Sequence, residues 1–470
     1  MKMLIGGEWT GAVRTIDVRD PFDGSLVDTV PAGTAADVTR AIDCAVRGYA
    51  VSRALPVHKR IEILYGVAAI VRDRQEDLAT TIAREGSKTI REARKEASRC
   101  VDTITISAEE ARRIAGETIP FDSRPGSENR TGYYYRFPIG VIAAITPFND
   151  PLNLVAHKVG PAIAAGNSVV LKPATVTPLS ALKLARAFMD AGLPADVLNV
   201  VTGHGHEIGE ALVSDPRVRM ISFTGGVEAA LEVTRKAGLK KIGMELGSNS
   251  PVIVLADCDL HAAVEASVSG AFWACGQNCI GVQRIYIERG VYEPFCRAFV
   301  ARTKTYTVGN KLDEATDMGP MISEKEAIRV EQWIREAVAA GATLLTGGAR
   351  RGTIVDPTVM ANMPRGARLD CQEVFGPVVS LYPVETLDEG IARANETNYG
   401  LHAAVFTRDL NQAFKAIHGL ECGGVLVNDS TDYRIDMMPF GGVKMSGLGR
   451  EGIKFALQEM TEPKMVCFNL

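Results

Sequence analysis

The stretch RFPIGVIAAIT (136–146) opens a series of five short apolar runs, and this series decides the fold. The four runs that follow it are SVVLKPA (168–174), VLNVVTG (197–203), MISFTGG (220–226) and KIGMELG (241–247). Stretches with helical apolar spacing separate the runs, near 153–165, 178–191, 205–214 and 227–238. Buried strands read as apolar runs bounded by turn residues, and parallel strands need helical crossovers. The alternation therefore predicts a parallel sheet flanked by helices.

A second alternation begins near residue 251. Its strand candidates are PVIVLAD (251–257), QRIYIE (283–288), ATLLTGG (342–348), VVSLYPV (378–384), HAAVFTR (402–408) and GGVLVND (423–429). Helices are expected at 260–274, 291–305, 323–340, 386–396 and 409–419. Two consecutive α/β sets of this size predict two α/β domains.

The first third of the chain is expected to be mostly helical, over 35–50, 57–85 and 88–115, with Thr34 as an N-cap. Two further segments fit neither α/β set: TGYYYRFP (131–138) and TEPKMVCFNL (461–470) both read as strands. Outlying strands of this kind extend a neighbour's sheet in many oligomers, but they also occur as frayed ends of monomers. The residues alone leave both readings open.

Composition excludes several classes of function. The 470 residues carry a formal net charge of −4, which gives no bulk attraction to nucleic acid or to a membrane surface. No apolar run approaches the roughly 18–20 residues that span a bilayer, and the start MKMLIGGEWTGAV lacks the apolar segment of a secretory signal. The nine cysteines are scattered and form no zinc-ligand pattern with histidine. A cytoplasmic protein with reduced thiols and no metal site is expected.

One cysteine stands in a context that favours chemistry. In AFWACGQNCIGVQR (271–284), a helical pattern runs into Gly276, and Cys279 follows in a loop that ends at Gly281. Glycines let the backbone approach a ligand closely, so a thiol there can face a site. Cys275, one turn earlier, is expected on the helix in a structural role. A lone cysteine remains weak evidence for a nucleophile until partners are found.

Two polar residues at strand ends could be those partners. Glu245 ends the apolar run KIGME, where burial should raise the pKa of its carboxyl and suit it to act as a base. Asn149 follows the run GVIAAIT and could donate its amide to an oxyanion. Each also has an ordinary reading, the glutamate as a cap or ion-pair partner and the asparagine as a turn residue.

Three strand-end turns could hold phosphate groups. They are GHGHEIG (203–209), which contains Gly205 and Gly209, FTGG (223–226), which contains Phe223, Thr224 and Gly225, and LKPAT (171–175), which contains Lys172 and Thr175. Each turn alone is ambiguous. Three of them at the carboxyl ends of strands in one domain point to a dinucleotide.

With these residues in view, nearly the whole chain resembles the aldehyde dehydrogenase superfamily. The family's motifs occur here in order: TPFN with Asn149, LKPA with Lys172, FTGG with Gly225, MELG with Glu245, GQNC with Cys279, EVFGPV with Glu373 and Phe375, and PFGGVKMSGLGRE at 439–451. The joint order and spacing are highly specific. They raise Cys279 and Glu245 above the ordinary readings given above.

The resemblance implies an α/β fold with a variant Rossmann domain that binds NAD or NADP over 1–116 and 139–245, and a catalytic α/β domain over 246–435. The hairpin 117–138 and the tail 455–470 would form a small β oligomerisation arm, which implies a homodimer or homotetramer. It also implies that Cys279 attacks an aldehyde and forms a thioester, that Asn149 holds the oxyanion, and that Glu245 activates the water that releases the acid. The cofactor would contact Thr146, Pro147, Lys172, Thr175, Gly205, Gly209, Phe223, Thr224, Gly225, Glu373 and Phe375.

One departure from the family pattern concerns the cofactor. Many NAD-specific members carry a glutamate three residues after the lysine of the Lys-Pro motif, and here that position is Thr175. Without that carboxylate, the repulsion of a 2′-phosphate is removed, and a hydroxyl can donate to the phosphate. We therefore expect NADP to be accepted.

The substrate is less defined. The motifs resemble the branch that oxidises lactaldehyde, glyceraldehyde phosphate and sulfonated or phosphonated aldehydes, which implies a small hydroxylated or anionic aldehyde. Arg99, His157, Arg284 and Arg434 are the candidates for binding it. The ordinary alternative is an ion pair for each arginine and a helix residue for the histidine.

Two other functions remain open. A CoA-acylating semialdehyde dehydrogenase would pass the acyl group to CoA, although enzymes of that kind generally lack the base at the position of Glu245. A non-catalytic structural relative would keep the fold, but loss of Cys279, Glu245, Asn149 or Lys172 would then be expected, and all four are present.

Overall fold

The five apolar runs form the middle of an eight-stranded sheet in the computed structural model, which describes residues 1–470. Across this first sheet the strands are Glu8–Thr10, Met3–Ile5, Leu198–Val200, Ser168–Lys172, Val141–Ile145, Val218–Thr224, Lys241–Glu245 and Gly447–Leu448. The five predicted strands pair in parallel, as expected. The strands added at either end pair antiparallel.

The register aligns the carboxyl ends of these parallel strands. Ile145 lies opposite Lys172 on one side and opposite Phe223 on the other, and Thr224 lies opposite Glu245. The residues that follow the strands therefore share one edge of the sheet, where open α/β sheets bind their ligands.

Helices cover both faces of the first sheet. They span Ala35–Ala54, Val57–Asp73, Gln75–Glu85, Ile90–Glu110, Asn153–Ala165, Leu179–Asp190, Gly205–Ser214, Val227–Ala237 and Ile453–Glu459. The N-cap at Thr34 is confirmed, because its hydroxyl accepts from the Asp37 backbone N–H at 3.3 Å. The helix expected over 57–85 breaks in two at Arg74.

The second alternation forms a seven-stranded sheet, also as predicted. Its strands in spatial order are Thr343–Thr346, Thr358–Ala361, Val378–Val384, Val282–Glu288, Ser250–Val254, His402–Phe406 and Gly424–Val427. Its helices are Leu260–Phe272, Arg289–Thr303, Glu324–Ala339, Arg368–Cys371, Leu387–Asn395 and Leu410–Gly419. Only Thr343–Thr346 runs antiparallel to its neighbour. The strand Thr358–Ala361 was not among the sequence candidates.

The two outlying segments pair with each other. Thr461–Asn469 runs antiparallel to Arg130–Pro138 over its full length, and Glu117–Thr118 adds a third short strand. Tyr133, Met465 and Phe468 are exposed on this small sheet. Two minor hairpins, Thr15–Arg19 with Leu26–Pro31 and Arg350–Arg351 with Ile354–Val355, complete the strands.

Each large sheet has its own core. Clusters of 48 and 21 buried apolar residues pack on the first sheet, and a cluster of 44 packs on the second. Burial on this scale, at roughly 25 cal/mol per Å² of apolar surface, is what holds both sheets in their helical layers. None of the helices is both long enough and apolar enough to cross a bilayer.

Candidate active site

A cavity of about 310 Å³ brings the three predicted catalytic side chains together. Asn149 and Glu245 reach it from the carboxyl edge of the first sheet, and Cys279 reaches it from the loop that precedes a strand of the second sheet. The cavity therefore draws its chemistry from residues that are far apart in the chain.

The loop that carries Cys279 is set by a tight left-handed turn. The helix ends at Phe272, and Ala274 and Cys275 then adopt φ values of +50° and +59°. Cys275 is thus not on the α-helix as expected, although it is fully buried, as its structural role requires. At Gly276, with φ of +67°, a Cβ would lie 2.2 Å from the Gly376 carbonyl oxygen, so only glycine fits this turn.

Burial controls the Cys279 thiol. It raises the pKa of Cys279 to about 12, and the nearby guanidinium of Arg434 acts in the opposite direction. The sulfur packs against a small apolar cluster of Ile280, Leu401 and Phe440. The thiol is therefore protonated at neutral pH until a base or a bound ligand changes its surroundings.

Glu245 has the surroundings expected of a general base. It is 4% exposed, and one of its carboxylate oxygens, Oε2, has no hydrogen-bond partner. Burial raises the pKa of Glu245 well above its usual range, and the negative charge of Glu451 raises it further. A Cβ at Gly441 would lie 2.8 Å from the other oxygen, so this glycine leaves the carboxylate its room.

The donors for an oxyanion are free. Neither the Asn149 side-chain amide nor the Cys279 backbone N–H donates to any protein atom, and both border the cavity. Two unpaired N–H donors beside a thiol are the arrangement that stabilises a tetrahedral oxyanion.

A network of buried charges joins the cavity residues Arg434 and Glu451 to Lys158, which does not line the cavity. Of the three, only Arg434 was a candidate from the sequence. Lys158 donates to Glu451 at 2.8 Å and to the Ser222 hydroxyl at 3.1 Å. Arg434 stacks 3.6 Å from the centre of the Phe440 ring, and its Nη2 lies 3.5 Å from Glu451. Lys158 could have been noticed from sequence, since a lysine in the apolar helix NLVAHKVGPAIAA needs a buried partner.

Asp436 organises a second buried group. It accepts from Arg99 at 2.7 Å, from the Asn153 amide at 3.1 Å and from His157 Nε2 at 2.8 Å. These partners hold the pKa of Asp436 far below its usual range despite its burial. The contacts join residues more than 270 positions apart, so no local sequence signal could have found them.

The four substrate candidates fall into three groups. Arg99 and Arg434 border the cavity. His157 does not; it lies behind, bonded to Asp436, and burial lowers its pKa. Arg284 also does not reach the cavity, because its buried guanidinium donates to the backbone oxygens of Asn249, Arg393 and Ala394. The structure thus corrects the grouping of Arg284 with the substrate residues: it ties a strand to a helix end.

The predicted cofactor residues lie along the shared edge of the first sheet. Lys172 is 7% exposed, and its ammonium donates only to the Pro173 carbonyl oxygen at 3.0 Å. Burial lowers the pKa of Lys172 to about 8. The Thr175 hydroxyl donates to the Gly203 carbonyl at 3.0 Å, so its proton is already used. Thr175 would therefore favour a 2′-phosphate mainly because it carries no negative charge to repel it.

Two buried hydroxyls at this edge lack partners. The Oγ1 atoms of Thr146 and Thr224 make no hydrogen bond, and they stand at the ends of adjacent parallel strands. Pro147 follows, half-buried. Next to them the Phe223 ring covers Gly225, where a Cβ would lie 2.7 Å from the ring. Orphaned donors beside a close-packed glycine turn fit a polar ligand such as a dinucleotide.

The remaining cofactor candidates border the same region. Glu373 accepts from the Ser248 N–H at 2.8 Å, and burial raises its pKa to about 7. Phe375 adopts φ of +44° and packs edge-on against Phe148 with ring centres 5.7 Å apart. Gly205 and Gly209 lie in the first turns of Gly205–Ser214, and a Cβ at either would meet no protein atom, so the face they present is open.

Known proteins resemble this chain over almost its whole length. The profile of the aldehyde dehydrogenase family matches residues 9–466. The chain is 51% identical to aspartate-semialdehyde dehydrogenase 1 of Pseudomonas canavaninivorans, over 97% of each chain. It is 45% identical to 3-sulfolactaldehyde dehydrogenase of Priestia aryabhattai, over 100% of this chain and 98% of the other. The crystal structure of glyceraldehyde-3-phosphate dehydrogenase GapN from Methanocaldococcus jannaschii, complexed with NADP, superposes with a TM-score of 0.94 at 40% identity, covering 97% of this chain and 100% of the other. The expected fold class and branch are confirmed.

Proposed function

Because this chain belongs to the aldehyde dehydrogenase family, we propose that it oxidises a small aldehyde to a carboxylic acid with NAD or NADP, through a thioester on Cys279. The observation that carries the proposal is the meeting of Cys279, Glu245 and Asn149 in one cavity between the two sheets. The overall reaction takes one aldehyde, one oxidised cofactor and one water, and gives one carboxylate, one reduced cofactor and two protons.

The first step is the attack of the Cys279 sulfur on the aldehyde carbon. The sulfur must lose its proton first, because burial holds its pKa near 12. Glu245 is the natural acceptor, because it borders the same cavity and its own raised pKa lowers the cost of moving the proton to it. Two of the other cavity carboxylates, Asp150 and Glu451, are already paired with lysines.

The oxyanion that forms is held by the Cys279 N–H and the Asn149 amide. Neither donor is bonded to a protein acceptor, so no protein hydrogen bond has to break when charge develops on the oxygen. The positive charge of Arg434 favours the Cys279 thiolate that makes the attack. When bound, the nicotinamide supplies the hydride acceptor that turns the adduct into a thioester.

Glu245 first releases to solvent the proton that it took from Cys279. It then takes a proton from water, whose oxygen attacks the thioester carbon. The C–S bond breaks, the acid leaves, and the proton on Glu245 passes to the sulfur and restores the Cys279 thiol. A carboxyl that is buried and has a raised pKa is matched to this work near neutral pH. The base is the feature that favours hydrolysis over transfer to CoA.

The edge of the first sheet fits the dinucleotide. Lys172 and Thr175 would lie at the adenosine ribose, and Glu373 and Phe375 at the nicotinamide ribose. Near the diphosphate and the nicotinamide would lie Thr146, Pro147 and the turn Phe223–Gly225. Gly205 and Gly209 would leave room for the cofactor at the open start of their helix. The orphaned hydroxyls of Thr146 and Thr224 support this assignment. On this proposal residues 1–116 and 139–245 bind the cofactor, and 246–435 complete the catalytic site.

The substrate we propose is a small hydroxylated or anionic aldehyde. Arg434 supports this, because its side chain is only 8% exposed and its Nε and Nη2 atoms have no hydrogen-bond partner. A buried guanidinium with free donors favours an acidic group, and Arg99 borders the same cavity. The exposed apolar side chains on the small sheet support the arm's role in a homodimer or homotetramer, and the charge and free thiols suit the cytoplasm.

One assay tests the proposal: reduction of NAD and of NADP with short hydroxylated, phosphorylated, sulfonated and aliphatic aldehydes, without CoA and with the acid product measured. We expect acid and reduced cofactor in equal amounts. Cys279→Ser should fall to background, while Cys371→Ser, which changes an exposed thiol outside the cavity, should match the wild type. If acyl release requires CoA, the protein is instead a CoA-acylating dehydrogenase. If the wild-type protein oxidises none of these aldehydes, it is a non-catalytic structural relative.

A further inference from the structure

An acidic side chain without a counter-ion borders the cavity. Asp432 lies two residues before Arg434, in the loop between the strand Gly424–Val427 and Phe440. It takes part in no ion pair within 4.0 Å, in contrast to Asp150, Glu451 and Asp436. Burial raises the pKa of Asp432, and the charge of Lys95, which lowers it, offsets only part of that rise.

The nearest cation is otherwise engaged. Lys95 is exposed, and its ammonium lies over the Trp273 ring, 4.9 Å from the ring centre. The other cavity cations have partners: Lys88 pairs with Glu96, and Arg99 pairs with Asp436. Arg434 makes only a 3.5 Å contact with Glu451, and its Nε and Nη2 atoms have no hydrogen-bond partner. With Glu245 assigned as the base, the charged groups left to recognise a ligand are Arg434 and the carboxylate of Asp432.

The position of this carboxylate is fixed by packing. A Cβ at Gly270 would lie 2.9 Å from Asp432 Oδ1 and 2.0 Å from the Ser430 hydroxyl. Gly270 belongs to the helix Leu260–Phe272, which leads into the Cys279 loop. The loop that carries Asp432 and Arg434 thus packs against the helix that leads to Cys279. This packing holds the two charged side chains at a defined position relative to the Cys279 sulfur.

From this pair of opposite charges we infer that the substrate is a zwitterionic semialdehyde, a short aldehyde that carries both a carboxylate and an ammonium group. Arg434 binds the carboxylate, and Asp432 binds the ammonium. The inference rests on the proposed function and narrows its substrate class.

The two charges argue against the other anionic aldehydes. A phosphorylated aldehyde brings up to two negative charges and no positive one, so Asp432 would repel it while remaining unpaired itself. A carboxylate left unpaired in a ligand-filled cavity loses its water and gains nothing in return. A zwitterion satisfies Asp432 and Arg434 together.

The test compares two substrates that differ in one group: 2-amino-4-oxobutanoate, which has the ammonium, and 4-oxobutanoate, which lacks it. We expect the wild type to prefer the amino compound in kcat/KM by about tenfold or more, the effect of one charge-assisted hydrogen bond. Asp432→Asn should lower kcat/KM for the amino compound and raise it for 4-oxobutanoate, because the variant no longer repels an anion. Glu210→Gln removes a carboxylate charge at the surface outside the cavity and should keep the wild-type preference.

The outcomes separate the two proposals. Opposite changes for the two substrates in Asp432→Asn support the inference, since a merely structural defect would lower both. Equal wild-type rates on the two compounds, or a parallel loss in the variant, overturn it and leave the proposed function standing. A wild type that oxidises no aldehyde overturns the proposed function as well.

Discussion

Replacing Glu245 by glutamine should separate the two halves of the reaction. The substitution keeps the shape of a side chain that is 4% exposed, and it removes the only property that hydrolysis needs, the ability to take a proton from water. General-base catalysis contributes about 10²–10⁴-fold in rate, or about 2.7–5.4 kcal/mol of transition-state stabilisation. Glu451, the carboxylate whose charge acts on Glu245, cannot substitute at little cost, because Lys158 holds it. Steady-state turnover should therefore fall by about that factor.

The assay is rapid mixing of enzyme, cofactor and aldehyde, with reduced cofactor followed by absorbance. If Glu245 acts chiefly at hydrolysis, the variant should still give a burst of reduced cofactor of one equivalent per active site, and then a slow phase. An acyl-enzyme at Cys279 should be visible as an added mass on the intact protein. A variant that keeps the wild-type steady-state rate would refute the role of Glu245 as a base. A variant that gives no burst would show that Glu245 acts chiefly in deprotonating Cys279 rather than in hydrolysis.

The same substitution should change stability in the opposite direction to activity. The pKa of Glu245 is raised in the folded protein, so the folded state holds this proton more tightly than the unfolded state. Its contribution to stability is present at low pH and is lost as pH rises through the folded pKa. Glu245→Gln should therefore unfold at a higher temperature than the wild type, by a margin that grows with pH. Glu210→Gln removes an exposed carboxylate paired at the surface and should show no such trend, since surface pairs contribute about 0–1 kcal/mol.

Three further results are expected. Arg434→Ala should raise KM for an acidic aldehyde far more than for a neutral one of equal length, by about tenfold or more for a charge-assisted bond; equal effects would contradict the anion site. Because burial lowers the pKa of Lys172 to about 8, its charge is lost as pH rises through that value, and kcat/KM for NADP should fall above it; a flat profile in steady-state kinetics would speak against a Lys172 contact with the cofactor. Deleting residues 463–470 removes most of the strand that covers Arg130–Pro138, so sedimentation should show a smaller assembly than for the full chain, and an unchanged mass would argue against the arm.

Much of the fold could be predicted because its signals are local. Apolar runs bounded by turns mark the parallel strands, and a threonine followed three residues later by an aspartate marks a helix start at Thr34. Glu245 was placed correctly at a strand end for the same reason. The short strands before residue 32, and Thr358–Ala361, escaped because they are brief and their pairing partners are distant in sequence.

In the candidate site, too, residues with a local sequence signal could be predicted, and residues defined by distant contacts could not. The triad of Cys279, Glu245 and Asn149 rests on motifs, and the structure brings the three side chains together. Asp432 and Asp436 stand in one loop with little to distinguish them in sequence, yet one is unpaired and the other has three partners, a difference made by Gly270 and by the helix Asn153–Ala165. The position of Arg284 could not be inferred either, because its backbone acceptors exist only once strand and helix are assembled.

The two-residue strand Gly447–Leu448 has a consequence for how the protein is made. It pairs with Met244 and Glu245 and closes an edge of the first sheet that otherwise faces solvent. The ribosome must therefore synthesise nearly the whole chain before the strand that ends in the base gains its neighbour. A fragment that ends near residue 245 would expose that edge, and open strand edges invite aggregation. Residues 1–245 should therefore aggregate more readily alone than in the full chain, where Gly447–Leu448 covers this edge.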